Sequence, residues 1–300
     1  MYFFEVDLDK VLVIGGSGFL GSHVADKLSD SGFEVSIFDI NSSEWMRDDQ
    51  EFIEGSILDS KRLHEAINGK KYVYHFAGIA DIAESKLSPE KTIELNILGT
   101  TNVLNACVKN KVSRFIFASS MYVYSSYGSF YNATKKSSEI IIEAFNKEYG
   151  LDFTLLRYGS LYGPRAQDWN GINSFIKQIV NEGKLDYFGS GEEKREYIHV
   201  SDAADLSLEI LSKDYANKAI TITGLQVLNS KELIDMIFEI VGKDPVVRMN
   251  KKKNDDHYVK TPYRHSVMHA RKLTPKSFVD IGQGILEIID SLKESSHNES

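Results

Sequence analysis

At 300 residues with 42% apolar content, the chain can bury a large core, enough for one α/β domain with a smaller lobe. Its formal net charge of −8 argues against nucleic acid or an anionic membrane surface as the main partner. Cys107 is the single cysteine, which excludes an internal disulfide and fits a reducing cytoplasm. The opening Met1–Asp7 carries acids and no basic stretch, unlike a signal peptide. No apolar run approaches the ~18 residues that span a bilayer. A soluble, cytoplasmic protein is expected.

Strand-like runs recur at 11–15, 34–39, 52–55, 72–77, 114–118 and 153–157, with helical patterns near 18–30, 60–68, 90–109 and 131–149. Alternating β and α predicts a doubly wound parallel sheet with helices on both faces. The runs at 11–15 and 114–118 are nearly continuous apolar, as strands buried on both faces must be. After Gly163-Pro164 the spacing loosens. Residues 1–165 therefore read as one domain, and 166–292 as a smaller lobe with one return strand near 219–224. Lys251–Asp256 reads as a solvated loop and residues 293–300 as a disordered tail.

The first strand, Val11-Leu12-Val13-Ile14, ends in Gly15-Gly16-Ser17-Gly18-Phe19-Leu20-Gly21 and passes into a helical pattern carrying Val24, Ala25 and Leu28. This is the βα turn of a dinucleotide-binding fold, in the register Gly15-x-x-Gly18-x-x-Gly21 or Gly16-x-Gly18-x-x-Gly21. Its glycines allow a tight turn, a close approach to a pyrophosphate and close helix packing, with the phosphates on the helix N-terminus. The next strand ends at Asp39, 18 residues past Gly21, where a carboxylate takes the adenosine ribose hydroxyls. Ile40 and Asn41 follow, without an arginine for a 2′-phosphate, so NAD is expected over NADP.

Tyr131 and Lys135 share a face of a predicted helix. The ammonium favours the phenolate and lowers the tyrosine pKa from about 10 toward neutrality, which makes Tyr131 a general base for a substrate hydroxyl. Ser119-Ser120 ends an apolar strand, the edge at which open α/β sheets bind ligands. His265 and His269 have a spacing that suits zinc, but no acid or cysteine supports them, and no metal is expected.

Further segments carry a resemblance. They are His75-Phe76-Ala77-Gly78, Asn96-Ile97-Leu98-Gly99-Thr100, Ser119-Ser120-Met121-Tyr122-Val123-Tyr124, Leu156–Pro164 and Arg195–Asp202. With the glycine loop, Tyr131 and Lys135, they resemble in order the extended short-chain dehydrogenase/reductases, in their NAD-dependent sugar epimerase/dehydratase branch. The resemblance implies a Rossmann-type sheet with a smaller C-terminal substrate-binding lobe. It implies Ser120, Tyr131 and Lys135 as catalytic residues. It places NAD against Gly15, Gly18, Phe19, Leu20, Gly21, Asp39, Ile40, Ser56, Ile57, Phe76, Ala77, Gly78, Asn96, Ser119, Tyr131, Lys135 and Tyr158. The substrate, a nucleotide-diphosphate sugar, would meet Ser120, Met121, Ser160, Arg195 and Arg264, the two arginines clamping its diphosphate. His199 is expected to be structural. A homodimer is implied, with helices starting near Pro89 and Tyr131 pairing across a two-fold axis through Ile140, Ile141, Ile142, Ala144 and Phe145.

Departures from the family pattern narrow the chemistry. Met121 and Tyr122 stand where dehydratases carry an Asp-Glu pair, and no cysteine follows Ser120 as in the epimerase–reductases. Ser160 replaces an Asn and Ser56 an Asp. Tyr131 follows Ser120 by only 11 positions, so a shorter cover and a more open pocket are expected. A 4-epimerase acting through a transient 4-keto sugar is the leading expectation. The alternatives are a net C4 dehydrogenase or keto-sugar reductase, and, from a different class, a non-catalytic NAD sensor or scaffold.

Overall fold

A computed structural model describes residues 8–250 and His257. The expectations for Met1–Asp7, Lys251–Asp256, Arg264, the His265/His269 pair and residues 293–300 lie outside the described residues. Seven parallel strands form the main sheet: β1 (Lys10–Ile14), β2 (Glu34–Asp39), β3 (Glu51–Glu54), β4 (Tyr72–His75), β5 (Arg114–Ser120), β6 (Phe153–Tyr158) and β10 (Lys218–Ile222). Their order is β10-β6-β5-β4-β1-β2-β3. The chain winds outward in both directions from β1 and β4, and a crevice opens at their C-terminal ends, where this topology binds ligands.

Side-chain alternation along β1 feeds both faces of the sheet. Leu12 and Ile14 join a core built with α2 (Ser60–Ile67), α5 (Thr100–Lys109) and α6 (Ser129–Tyr149). Val11 and Val13 join the opposite core with α1 (Phe19–Asp30) and α8 (Val200–Glu209). Cys107 is buried in the first of these, and burial pushes its thiol pKa up.

The helix expected over 90–109 is three pieces. α4 (Pro89–Ile93) runs into a π-helical stretch, Glu94–Gly99, before α5, and α3 (Ile82–Leu87) precedes them. The insertion shifts every later side chain around the axis relative to a 3.6-residue count, and such bulges recur at functional sites.

The remaining elements are short. β7 (Ser160–Tyr162), β9 (Lys194–His199) and β11 (Gln226–Asn229) form one small sheet, and β8 (Leu185–Phe188) pairs with β12 (Val247–Asn250). α7 (Gly171–Glu182) and α9 (Ser230–Val241) pack on them through Ile179, Leu233, Ile237 and Phe238. No helix among the described residues is long and apolar enough to cross a membrane.

Candidate active site

A cleft of about 850 Å³ runs from the C-terminal ends of β1 and β2, past β4 and β5, to β9 and α7. At its first end, Gly15 has φ +81°, and a Cβ there would lie 2.5 Å from Ala77 N. A Cβ on Gly21 would lie 2.2 Å from Gly15 O, so only glycine lets α1 sit against the loop. The floor here is bare backbone. Gly18 caps α1 without a side-chain hydrogen bond, which leaves first-turn N–H groups to meet an anion. These features fit a dinucleotide pyrophosphate.

Asp39 closes the end of β2. Its carboxylate accepts hydrogen bonds from Ser17 N at 3.1 Å and Ile40 N at 2.8 Å. Burial raises its pKa, and those donors pull against the rise. The carboxylate therefore both fastens the glycine loop and lines the cleft. Asp39→Ala is expected to weaken NAD by ~10-fold and to narrow the preference over NADP, since a charge-assisted hydrogen bond is worth roughly 1.5–3 kcal/mol. Titration of both cofactors checks this, and tighter NADP binding by the unmutated protein would contradict it.

Ser119, Ser120, Tyr131 and Lys135 meet where β5 faces α6. Ser120 ends its strand and accepts from Tyr122 N through Oγ at 3.3 Å. Lys135 is 7% exposed, donates to Ala118 O at 2.7 Å, and sits 4.7 Å above the Phe117 ring and 5.9 Å from the centre of the Tyr131 ring. Burial lowers its pKa to about 8, and Glu139 one turn on opposes the fall. A cation beside a phenol is an arrangement that makes a base of the phenol.

The connection between Ser120 and Tyr131 is fastened down. Gly128 takes φ +97°, and a Cβ there would strike Tyr122 Cδ1 at 2.6 Å. Asn132 donates to Ser125 O and Tyr127 O, and Lys136 donates to Ser125 O.

Comparison with known proteins agrees with this geometry. The model of the NAD dependent epimerase/dehydratase family matches residues 11–223. The chain belongs to that family. A Methanocaldococcus jannaschii protein provisionally named UDP-glucose 4-epimerase is 28% identical over 95% of this chain and 99% of its own length. UDP-N-acetyl-alpha-D-glucosaminuronate decarboxylase of Bacillus cytotoxicus is 32% identical over 71% of this chain and 74% of its own. The crystal structure of a Thermotoga maritima UDP-glucose 4-epimerase with UDP-glucose superposes with a TM-score of 0.77 at 30% identity, covering 86% of this chain and 90% of that one.

Within this epimerase/dehydratase frame, most of the residues expected from sequence line the cleft. They are Gly15, Gly18, Phe19, Leu20, Gly21, Asp39, Ile40, Ser56, Ile57, Phe76, Ala77, Gly78, Ser119, Ser120, Tyr131, Lys135, Tyr158, Ser160 and Arg195. The structure does not bring Asn96 or Met121 to its wall. Asn96 is buried on the π-helical stretch, accepting from Ile79 N at 2.8 Å and donating to Ile79 O and Thr134 Oγ1 at 3.0 Å. It braces the wall from behind. Met121 is 1% exposed, packed into the protein by the 3₁₀ turn Met121–Tyr124. Tyr158 edges the cleft, but its hydroxyl bonds Ser207 Oγ at 2.6 Å. His199 caps α8, its Nδ1 accepting from Ser201 N at 3.3 Å.

Several lining residues were not expected in the site from sequence. Tyr122 packs edge-on to Tyr131, ring centres 6.0 Å apart, and its hydroxyl lies 2.5 Å from His257 Nδ1. Trp169, Asn170, Phe175 and Tyr187 enclose the other end with Arg195 and Glu193. Burial opposes ionisation of Glu193, yet Ser190 N and Tyr187 OH donate to its carboxylate and hold its pKa at about 2. That carboxylate braces the loop before β9.

Proposed function

We propose that the protein is an NAD-dependent UDP-sugar 4-epimerase. The observation that carries this reading is the convergence of Ser120, Tyr131 and Lys135 midway along a cleft that offers a dinucleotide floor at one end and Arg195 at the other. The glycine loop and Asp39 would hold NAD, which when bound would supply reversible hydride exchange at the sugar C4 carbon. Tyr131 would hold and release the proton of the C4 hydroxyl. Ser120 would orient the same oxygen, and Lys135 would keep the phenolate stabilised while touching the nicotinamide ribose. Arg195 would pair with the diphosphate, in a bidentate manner that suits a guanidinium.

The position of dehydratase acids carries no carboxylate here. Met121 is buried and Tyr122 is a phenol bonded to His257. This favours return of the hydride to C4 over elimination of water. The test is incubation with a panel of UDP-sugars, with products separated by chromatography. A 4-epimer forming without net NADH is expected. A 4-keto-6-deoxy product, or stoichiometric NADH, would overturn the reading.

We further assign residues 1–165, completed by β10, to NAD and the lobe within 166–292 to the sugar nucleotide. The buried thiol of Cys107 suits the reducing cytoplasm. For the quaternary state we infer a homodimer through α6 and its neighbours. Ile142 is buried and Ile141 and Phe145 pack on the parent core, so they serve the fold. Ile140 stays 67% exposed, with Ile93 and Leu98 about half exposed on the adjoining stretches. Light scattering at micromolar concentration is expected to give a dimer mass that Ile140→Glu halves. A monomeric mass for the unmutated protein would refute the assignment.

A further inference from the structure

Beneath the reactive residues lies a buried ion pair. Glu139 follows Tyr131 and Lys135 by successive steps of four on α6, which puts all three on the face turned to the sheet. Its carboxylate is held on both oxygens. Oε1 accepts from Arg157 Nε at 2.9 Å and Ser119 Oγ at 2.6 Å, and Oε2 from Arg157 Nη2 at 2.6 Å. Glu139 is 6% exposed. Arg157 spends its remaining edge on Tyr124, donating from Nη1 to the hydroxyl at 2.8 Å and lying 4.8 Å from the ring centre. Tyr124 in turn reaches Thr221 Oγ1 at 3.0 Å. Ser119, Arg157 and Thr221 are direct cross-strand neighbours on β5, β6 and β10, so one polar row crosses three strands.

The geometry points to Glu139 as a positioning residue of this site: paired with Arg157, its carboxylate ties the turn around Ser120 to the helix that bears Tyr131 and Lys135. The inference rests on the reading of those three residues as the reacting set. Ser120 lies between the two anchor points. Ser119 is bound by Glu139 directly, and Tyr124, which ends the 3₁₀ turn, is bound through Arg157. The opposite end of the clamp is the helix itself. A bidentate pair with low exposure has little rotational freedom, so the clamp fixes how far Ser120 stands from the Tyr131 phenol. A general base and an orienting hydroxyl must share one substrate oxygen, which makes that spacing a condition for the hydride step. A buried pair of this kind is weak evidence for stability, because its desolvation cost rivals its attraction. Its placement under the reacting residues supplies the better account of its role.

The test uses the full chain loaded with NAD. Glu139→Gln keeps the side-chain shape and removes its charge. Its NAD affinity and its KM for the UDP-sugar that the unmutated protein turns over are expected to stay within about threefold. The single-turnover rate is expected to fall ~10- to 100-fold, the scale of a misplacement near one ångström. A rate within about threefold of the unmutated protein would overturn the proposal, as would a loss confined to NAD affinity or KM. Lone Arg157 can impair folding, so the pair Glu139→Leu with Arg157→Met is the second variant. Removing both charges restores the fold but leaves Ser119 and Tyr124 without their ties to α6, so its rate stays low. Recovery of the full rate in this double variant would also overturn the proposal.

If no UDP-sugar reacts with the unmutated protein, the proposed function fails, and a substrate-free readout decides this inference. Acetic anhydride labelling of Lys135 is followed against pH by peptide mass spectrometry. Among the described residues, the titratable groups facing Lys135 are Tyr131 and Glu139 on α6 and His75 on β4, the last held neutral by burial. Half-labelling is expected at lower pH in Glu139→Gln than in the unmutated chain. An unchanged curve would overturn the inference.

Discussion

Replacing Tyr131 with Phe is expected to cut turnover by ~10² or more, the scale of losing a general base, while NAD binding stays close to its original strength. The ring remains, so its edge-on contact with Tyr122 and the apolar surface around it survive. Lys135 keeps its bond to Ala118 O and its place above Phe117, so the cofactor side of the cleft is unaltered. What disappears is the oxygen proposed to take the sugar proton. Ser120→Ala is expected to cost less, ~10-fold, because it removes a hydrogen bond and leaves the proton acceptor in place. Steady-state kinetics with NAD titration separates the two variants. Full activity in Tyr131→Phe would refute the assignment of the site. Activity lost only in step with NAD binding would assign the phenol to the cofactor instead.

Parts of this site were legible because their signals are local. Gly21 is forced by a contact within its own loop and Gly15 by its positive φ, and Asp39 closes the strand that follows. Tyr131 and Lys135 share a helix face that counting by four recovers. Asn96 and Met121, which the family resemblance placed at the cleft, miss its wall for definite reasons. Asn96 rides on a π-helical stretch that breaks the 3.6-residue period, and Met121 begins a 3₁₀ turn that folds it inward. Glu139 and Arg157 were unreadable because their meeting depends on how α6 crosses β6, and the sequence separates them by 18 residues. Tyr122 and His257 are 135 residues apart, and nothing local links them. The lobe was blurred for another reason. The strands of the two small sheets, β7, β8, β9, β11 and β12, are three to six residues long, too short for alternation to stand out from the background. The return strand expected near 219–224 is β10 (Lys218–Ile222), whose pairing with β6 follows from the sheet and from no motif.

The second large effect is expected for Lys135→Met, and its activity and stability should move in opposite directions. Turnover is expected to fall by ~10³, since under the proposed function the substitution removes both the cation favouring the phenolate and the donor to the nicotinamide ribose. Stability is expected to rise near pH 7. Burial lowers the lysine pKa from 10.5 to about 8, which at about 1.4 kcal/mol per pH unit means that holding the charged form in the fold costs on the order of 3 kcal/mol. The lost hydrogen bond to Ala118 O returns roughly 1 kcal/mol of that, leaving a net gain on the order of 2 kcal/mol for a side chain of similar length. The sign follows from proton counts. Between pH 8 and 10.5 the unfolded chain holds more protons than the folded one, so the unmutated protein becomes more stable as pH rises through that window. The methionine variant has no such group and gains nothing there. Its advantage in melting temperature should therefore be full below pH 8 and shrink toward pH 10.5. Thermal unfolding across this range, without cofactor, measures it directly. A variant that melts lower than the unmutated protein at pH 7, or a gap constant to pH 10.5, would show that Lys135 is not held charged at a cost to the fold.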